Sequence, residues 1–387
     1  MSVLFILGAL VALGPLSTDA YVPGLPDLAR DLRSSASMAQ LTVTTCLVGL
    51  ALGQLVAGPL SDALGRRRPL IVGVVIYTAA GFLCAAAPTA EVLILFRGVQ
   101  GVGGSFALVI AYASVRDRYT GRAAARYFSL LLLITGLAPI IAPIAGAQVL
   151  KLAGWRGIFV ALAVLSAVVL LACLAALPES LPPQLRQPGG LRAARSVYVR
   201  LLADRHLVGY GLTNALVFAA MFAYISGSPF VLQNLYGLSP QQYSVVFAVN
   251  AVGLVAAAQA SGRLVGRIDA RRLLGAGVIG AAVGGVALLV VVIVGAGLWP
   301  LLAAFFTVVT SVGLVLPNAA ALALENHGSH AGAAAALLGC TQFLFGGLAA
   351  PLVGLHAASG ALPTAVVMAG LGVAGVVAFT TTHSNPG

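Results

Sequence analysis

Charged side chains are scarce in this chain. They make up 8% of its 387 residues, and the 21 lysines and arginines outnumber the 10 acids. Soluble domains carry roughly 25% charged residues, so a chain this apolar cannot cover a water-facing surface of normal size. The shortage excludes an ordinary soluble protein. It also argues against nucleic acid as a partner, because no basic soluble domain is present to hold the net charge of +11.

Cysteine and the common catalytic motifs are scarce or missing as well. The four cysteines all lie inside apolar stretches and far apart in sequence, where cysteine usually behaves as a small hydrophobe. Neither a disulfide scaffold nor a metal site is expected from them. The sequence also lacks an HExxH metal helix, a Walker phosphate loop and a nucleophile elbow. We therefore expect no enzymatic activity, no metal and no cofactor.

Long apolar runs are what the chain has in abundance, with 60% hydrophobic residues. Runs of about 20 apolar residues suit membrane spans, and such spans must be helices because hydrocarbon offers no partner for backbone polar groups. The pattern predicts an all-α integral membrane protein that contacts the lipid bilayer directly. Twelve spans are predicted, at residues 2–22, 38–60, 69–88, 92–113, 126–149, 156–177, 206–232, 241–262, 272–295, 298–324, 331–355 and 361–381.

Arginine marks alternate loops. Sixteen of the 21 basic residues fall in the loops that follow spans two, four, six and eight. Loops rich in Lys and Arg stay in the cytoplasm, so the pattern predicts that these loops and both termini are cytoplasmic, in a cell inner (plasma) membrane. The four clusters are Arg66 to Arg68; Arg116, Arg118, Arg122 and Arg126; Arg186, Arg192, Arg195, Arg200 and Arg205; and Arg263, Arg267, Arg271 and Arg272.

A proline- and glycine-rich stretch divides the chain in the middle. It includes Pro178, Pro188 and Gly189, which interrupt helix formation. We predict a first six-helix bundle at residues 1–177, a cytoplasmic linker at 178–205 and a second bundle at 206–387. A degenerate copy of the loop after span two follows span eight, at residues 262–272. Two related bundles are what a parallel-repeat transporter needs in order to rock about a central site.

The loop after span two is the most specific motif. Residues 58–69 (GPLSDALGRRRP) combine helix-ending glycines, one acid and three arginines. Arg66 to Arg68 can pair with Asp62, with helix C-terminal carbonyls or with anionic lipid headgroups. The alternative is a positively charged loop that only fixes the topology. The residues singled out are Gly58, Asp62, Gly65, Arg66 and Arg67.

Asp19 and Arg97 are two charges inside predicted spans. A charge at such a depth is costly and indicates function by default, and burial favours the protonated form of an acid. Both lie a few residues below the outer ends of spans one and four, so we predict an ion pair between them, direct or through water. Two alternatives stay open. Asp19 can be an interfacial acid, and Arg97 can be a clamp on backbone carbonyls.

Span five carries two prolines one turn apart, Pro139 and Pro143, between Gly136 and Gly146. Proline removes backbone donors, and the small residues around it let neighbours approach, so we predict that this face seals the two bundles against each other. In the second half, Glu325, His327 and His330 are interpreted as solvated residues at the outer side, after span ten.

Polar and aromatic residues within the spans are candidates for a substrate cavity. Few are charged, so the lining suits bulky, weakly polar compounds rather than sugar phosphates or multivalent anions. Aromatic residues in spans are also commonly packing residues. The candidates are Tyr21, Gln100, Tyr112, Asn214, Phe218, Phe222, Asn250 and Gln342.

Together these motifs resemble the drug/proton antiporters of the major facilitator superfamily, twelve-helix branch, and within it the Bcr/CflA drug-resistance family. Residues 15–26 (PLSTDAYVPGLP) carry the narrower match. The resemblance implies that the loop at 58–67 gates the cytoplasmic side and that Arg97, Gln100 and Gly101 belong to proton coupling. It also implies that Pro139, Pro143 and Gly146 mark an antiporter.

Three positions depart from the family pattern. Ala63 stands where a basic residue usually follows the loop aspartate, which puts part of the gating network in doubt. Ala142 and Ala147 stand in the span-five motif, whose usual ending is a glycine pair. The expected function is proton-coupled efflux of small molecules such as chloramphenicol or bicyclomycin by a monomer. The alternative is a facilitator or importer of a small metabolite without proton antiport.

Overall fold

The computed structural model describes residues 3–186, 190–327, 331–354 and 360–382, and this part of the chain is built of helices joined by short turns. Helices α1 to α6 form the first half, α7 lies between the halves, and α8 to α13 form the second half. Their bounds are α1 Val3–Asp19, α2 Leu25–Asp31, α3 Ala36–Leu64, α4 Arg67–Ala85, α5 Ala90–Arg118, α6 Gly121–Ala176, α7 Gly190–Leu202, α8 Arg205–Pro229, α9 Pro240–Leu264, α10 Ala270–Val294, α11 Leu298–Leu324, α12 Ala331–Gly354 and α13 Leu362–Thr381.

Helix α6 contains two of the predicted spans. It runs for 56 residues, and its one non-helical position is Gly154, with φ of 67°. Glycine takes a positive φ without steric cost, so the chain turns back there and crosses again. Eleven helices in the described part of the chain are long and apolar enough to span a membrane. Since α6 supplies two crossings, the twelve predicted spans are confirmed.

The segment between the halves is more ordered than its composition predicts. Helix α6 ends at Ala176, just before Pro178, and a single 3₁₀ turn follows at Pro183–Leu185. Helix α7 then forms, and it is absent from the sequence prediction. The Tyr198 hydroxyl of α7 donates to the backbone carbonyl of Leu55 on α3, at 3.3 Å. Pro188 and Gly189 lie outside the described residues.

Glycine sets the spacing between α3 and α5. A Cβ at Gly101 of α5 would collide with the backbone of α3 at Cys46, and a Cβ at Gly49 of α3 would collide with the backbone of α5 at Gly98. Side chains this small let two membrane helices interlock through their backbones. The glycines that follow Arg97 therefore hold α3 and α5 together, and the charge of Arg97 is buried beside that contact.

The two halves meet along α3 with α12 and along α6 with α9. We call the end where α6 finishes and α8 begins the linker end, and the other the opposite end. Among the described residues, four side-chain-to-backbone hydrogen bonds join the first half to the second. Toward the opposite end they are Gln40 to Ser226 at 3.1 Å, Gln233 to Pro23 at 2.9 Å, Gln241 to Ala147 at 3.0 Å and Ser244 to Pro143 at 2.9 Å.

The prediction that places Glu325 and His327 at the outer side is wrong. His327 Nε2 lies 3.2 Å from an Asp204 carboxylate oxygen, and Asp204 caps the start of α8 at the linker end. Helix α11 starts at the opposite end and finishes here, so the loop after it shares the side of the linker. His330 lies outside the described residues.

Candidate functional site

Arg97 is fully buried, and its hydrogen bonds within the described part of the chain all go to neutral oxygens. Its guanidinium donates to the Ser17 hydroxyl at 2.8 Å and to the Ser17 carbonyl at 3.1 Å. It also donates to Gln100 Oε1 at 2.7 Å and to the Thr42 carbonyl at 3.4 Å. The Tyr21 ring covers it, with the ring centroid 4.5 Å from Cζ. One cation thereby ties α1, α3 and α5 together.

The predicted ion pair between Asp19 and Arg97 is absent, and the geometry of α1 explains why. Arg97 donates two hydrogen bonds to Ser17, and Asp19 lies two positions farther along the same helix. Two positions correspond to roughly 200° of rotation, so the two side chains leave opposite sides of α1. The alternative interpretation of Arg97, a clamp on backbone carbonyls, fits in part, because two of the four acceptors are backbone carbonyls and two are side-chain oxygens.

Asp19 instead faces the second half. It is 5% exposed, and it lies close enough to Tyr243 on α9 of the second half for the two side chains to interact electrostatically. The Tyr243 hydroxyl lies 3.1 Å from the Ser228 hydroxyl on α8. One turn earlier on α8, the Tyr224 hydroxyl accepts from Asn250 at 2.7 Å. A buried acid of the first half therefore adjoins a buried set of hydroxyl groups in the second.

The span-five motif contacts both halves. Helix α6 continues through Pro139 and Pro143, and the Pro143 carbonyl accepts from Ser244 of the second half. Gly136 approaches Val255 of α9, in ordinary contact at 3.4 Å for an added Cβ. Gly146 has a much closer neighbour, because a Cβ there would collide with the carbonyl of Ala20, the residue directly after α1. Gly146 therefore packs within the first half, beside Asp19, while Pro143 contacts the second half, and the sealing role of this face stays a prediction.

The loop after α3 forms a charge cluster around Arg66. Its Nη1 lies 2.6 Å from an Asp62 oxygen, and its Nε lies 2.8 Å from an Asp117 oxygen on α5. Arg67 donates to the carbonyls of Leu177 at 2.9 Å and Leu174 at 2.8 Å, at the end of α6. The loop therefore links three helices of the first half at the linker end. Gly58 contributes its carbonyl, which accepts from the Ser61 hydroxyl at 2.9 Å.

Glu179, three residues after the end of α6, also binds this cluster. Its carboxylate accepts from the backbone N–H of Arg66 at 2.8 Å and of Arg67 at 3.2 Å, where α4 begins. The first N–H groups of a helix have no partner inside the helix, so Glu179 caps α4 across more than 100 positions of sequence. Gly65, with φ of 90°, makes room, because a Cβ there would meet the carboxylate.

These hydrogen bonds favour the ionised form of the Glu179 carboxyl group over the protonated form. Partial burial disfavours the charged carboxylate, but backbone N–H groups on both sides of it hold the pKa of Glu179 below its ordinary value. Neither Glu179 nor Asp117 was singled out from the sequence. A usable indication existed, since Glu179 follows a helix-ending Pro178 and Asp117 lies between two arginines.

The candidate cavity residues fall into separate places. Gln100 points into the first half, toward Arg97 and Cys84, and Tyr112 lies beside Thr135 and stacks with Phe128. The Tyr21 hydroxyl pairs with Thr42 at 3.0 Å, and its ring covers Arg97. In the second half, Asn214, Phe218, Phe222 and Gln342 gather on facing sides of α8 and α12.

The sequence profile of the Major Facilitator Superfamily matches residues 7–351. The chain belongs to this superfamily. A relative at 39% identity over 381 residues is the uncharacterized MFS-type transporter YdgK of Bacillus subtilis (strain 168), with 98% of this chain and 94% of that one aligned. The bicyclomycin resistance protein homolog of Haemophilus influenzae is 26% identical over 373 residues, 96% of this chain and 94% of its own.

Solved transporters share the fold. The xylose transporter XylE from E. coli, in a partially occluded inward open conformation, superposes with a TM-score of 0.76 over all of this chain and 98% of its own, at 15% identity. Identity this low shows the architecture alone. The family match over residues 7–351 makes this chain a membrane transporter of the superfamily, not an enzyme.

The Glu179 cap generates a pH-dependent prediction. Because the folded protein lowers the pKa of Glu179, its contribution to stability is present above the ordinary glutamate pKa of about 4.3 and disappears as the pH falls below it. Glu179→Gln should destabilise the protein by about 1 kcal/mol at pH 7, the usual effect of losing a helix cap. Thermal unfolding in detergent at several pH values measures this.

The matched control is Glu325→Gln, at an exposed acid of another loop at the same end. It should leave the unfolding midpoint unchanged at every pH. The same loss of stability for Glu179→Gln at pH 4 and at pH 7 would contradict the capping role.

Proposed function

We propose that this transporter exports small, bulky, weakly polar compounds across the bacterial inner membrane in exchange for protons. The observation that carries the proposal is Asp19, a buried acid at the boundary between the halves that forms no salt bridge with any described residue. Such a group can bind and release a proton as the boundary opens and closes, since water access changes the cost of its charge. The relative named for bicyclomycin resistance supports an exported drug.

The arginine distribution supports a cytoplasmic linker end. All four basic clusters belong to loops at that end, and this asymmetry supports a cytoplasmic location for both termini and for the proposed linker at residues 178–205. The hydrogen bonds at Pro23, Pro143 and Ala147 then close the outer side. The conformation described here is accordingly an inward-facing or occluded state, in which the outer contacts between residues 1–177 and 206–387 must break for release.

The Arg66 cluster is the proposed cytoplasmic gate. Asp62, Asp117 and Glu179 all bind the same short segment, so the first half moves as one body at this end. Asp62 has a partner within its own loop although Ala63 departs from the family pattern. The gate of this chain therefore rests on Arg66 and Arg67 rather than on a residue after the aspartate.

The first functional prediction concerns Asp19. Asp19→Asn removes the titratable proton but keeps the shape of the side chain, so it should abolish chloramphenicol or bicyclomycin efflux driven by a pH gradient. Inverted vesicles with a pH-sensitive dye report the coupled proton movement. Asp27→Asn is the control, since this acid of α2 pairs locally with Arg30. Full gradient-driven efflux by Asp19→Asn would refute proton coupling at this residue.

The second functional prediction concerns Gly146. Gly146→Ala forces a Cβ against the Ala20 carbonyl, which must displace α1 beside Asp19. We expect lower efflux and a proton leak without substrate, measured with pyranine inside sealed vesicles. Overpacking of this kind costs about 1–3 kcal/mol, enough to change coupling without unfolding the protein.

Gly136→Ala is the control on the same helix, because its Cβ would make only ordinary contact with Val255. It should transport normally and hold a pH gradient. If Gly146→Ala behaves in the same way as Gly136→Ala, close packing of α6 on α1 is not needed for coupling.

A further inference from the structure

A cluster of three amides lies where α3 of the first half meets α8 and α12 of the second. Asn214 of α8 donates to the Gln342 side-chain oxygen of α12 at 3.2 Å. The Gln54 amide of α3 lies against Gly339, where a Cβ would collide with its oxygen. Gly339 precedes Gln342 by three positions, so both lie on the same face of α12. The three amides are therefore neighbours across the boundary between the halves.

Two atoms of this amide cluster are buried without a hydrogen-bond partner. They are Gln54 Nε2, a donor, and Asn214 Oδ1, an acceptor. The two residues are 5% and 3% exposed, so bulk water does not satisfy either atom. Leaving a buried polar group unpaired typically costs about 1–3 kcal/mol. One unpaired donor and one unpaired acceptor can be satisfied together by a ligand that offers the opposite groups.

The depth of the amide cluster fits a transport site. Gln54, Asn214 and Gln342 each lie about ten residues, or roughly 15 Å, from the linker end of their helices. The hydrocarbon core of a bilayer is about 30 Å thick, so the cluster lies near its middle. Transporters built from repeated halves bind substrate at this depth, between the halves.

Aromatic rings stand beside the amides. Phe218 follows Asn214 by one helical turn, and its ring lies 5.6 Å from the ring of Phe343 on α12 and 4.8 Å from that of Phe222. Gly346 leaves the space that the Phe218 ring fills. The second half thus presents an apolar wall next to two polar atoms, which is the usual composition of a small-molecule site.

We propose that Gln54 and Asn214 form a substrate subsite for uncharged compounds that carry both a hydrogen-bond acceptor and a donor, such as amides and alcohols. This rests on the proposed export function and names the substrate class. Gln54 Nε2 donates to the acceptor of the compound, Asn214 Oδ1 accepts from its donor, and the Phe218 wall packs against its apolar part. Because the two residues belong to different halves, such a compound bridges the halves when it binds.

The test is equilibrium binding to the purified protein in detergent at fixed pH. The probes are chloramphenicol, which is neutral and carries an amide and hydroxyl groups, and tetraphenylphosphonium, which has neither donor nor acceptor. Gln54→Met keeps the length of the side chain and removes its hydrogen bonds. It should weaken chloramphenicol binding roughly two- to tenfold, the range for one lost hydrogen bond, and leave tetraphenylphosphonium binding unchanged.

Thermal unfolding separates a binding role from a structural one. Since Gln54 Nε2 has no partner in the protein, Gln54→Met should not lower the unfolding midpoint. Asn214→Leu tests the subsite from the other half and should show the same selectivity between the two probes. Gln259→Met, at an exposed amide of α9, should change neither binding nor stability.

Several results would overturn the subsite. They are unchanged chloramphenicol binding by both variants, equal weakening for both probes, or a lower unfolding midpoint for Gln54→Met. Wild-type protein that binds tetraphenylphosphonium but not chloramphenicol, or that binds neither, would also overturn it. Binding at fixed pH needs no proton gradient, so a failure of proton coupling at Asp19 would leave this test intact.

Discussion

The burial of Arg97 is the constraint on which the rest of the first half depends. A guanidinium cannot lose its charge in a protein, so it must be surrounded by acceptors wherever it is buried. Here the acceptors are Ser17, Thr42 and Gln100, which fix α1 and α3 against α5. With Ser17 held on that side, Asp19 must face away, toward the second half. The clamp thus positions the acid without neutralising it.

The contacts between the halves are of two kinds. Toward the opposite end, side chains such as Gln241 and Ser244 donate to backbone carbonyls of the first half, and these bonds can break at modest cost because water can replace them. At mid-depth, the Gln54 and Asn214 amides leave atoms unsatisfied. In the proposed cycle, the two halves separate at one side and then at the other. Hydrogen bonds that break easily at the outer side and unpaired polar atoms at the centre both make such separation less costly. Proton binding at Asp19 and substrate binding at the amides would both act on the same boundary.

The sequence predicted the fold well, because apolar length and arginine placement are properties of single segments. The predicted spans match the helices to within a few residues, including the break at Gly154 between the two spans of α6. Helix α7 was not predicted. Site geometry was predicted less well. The structure contains no direct ion pair between Asp19 and Arg97, because depth along two helices says nothing about rotation around them. The contact of Gly146 with Ala20 depends on the same rotation, and the sequence does not indicate it. Glu179 was not predicted as a site residue because its partners, the backbone N–H groups of Arg66 and Arg67, lie more than 100 positions earlier in the sequence.

If Asp19, turned toward the second half by the Arg97 clamp, carries the exchanged proton, substrate binding should release that proton. Proton release can be measured directly by adding chloramphenicol to purified protein in weakly buffered detergent solution with a pH indicator. We expect proton release from the wild-type protein and none from Asp19→Asn, although the variant still binds the drug. Equal release from both proteins, or binding without release from the wild type, would rule out Asp19 as the coupling residue.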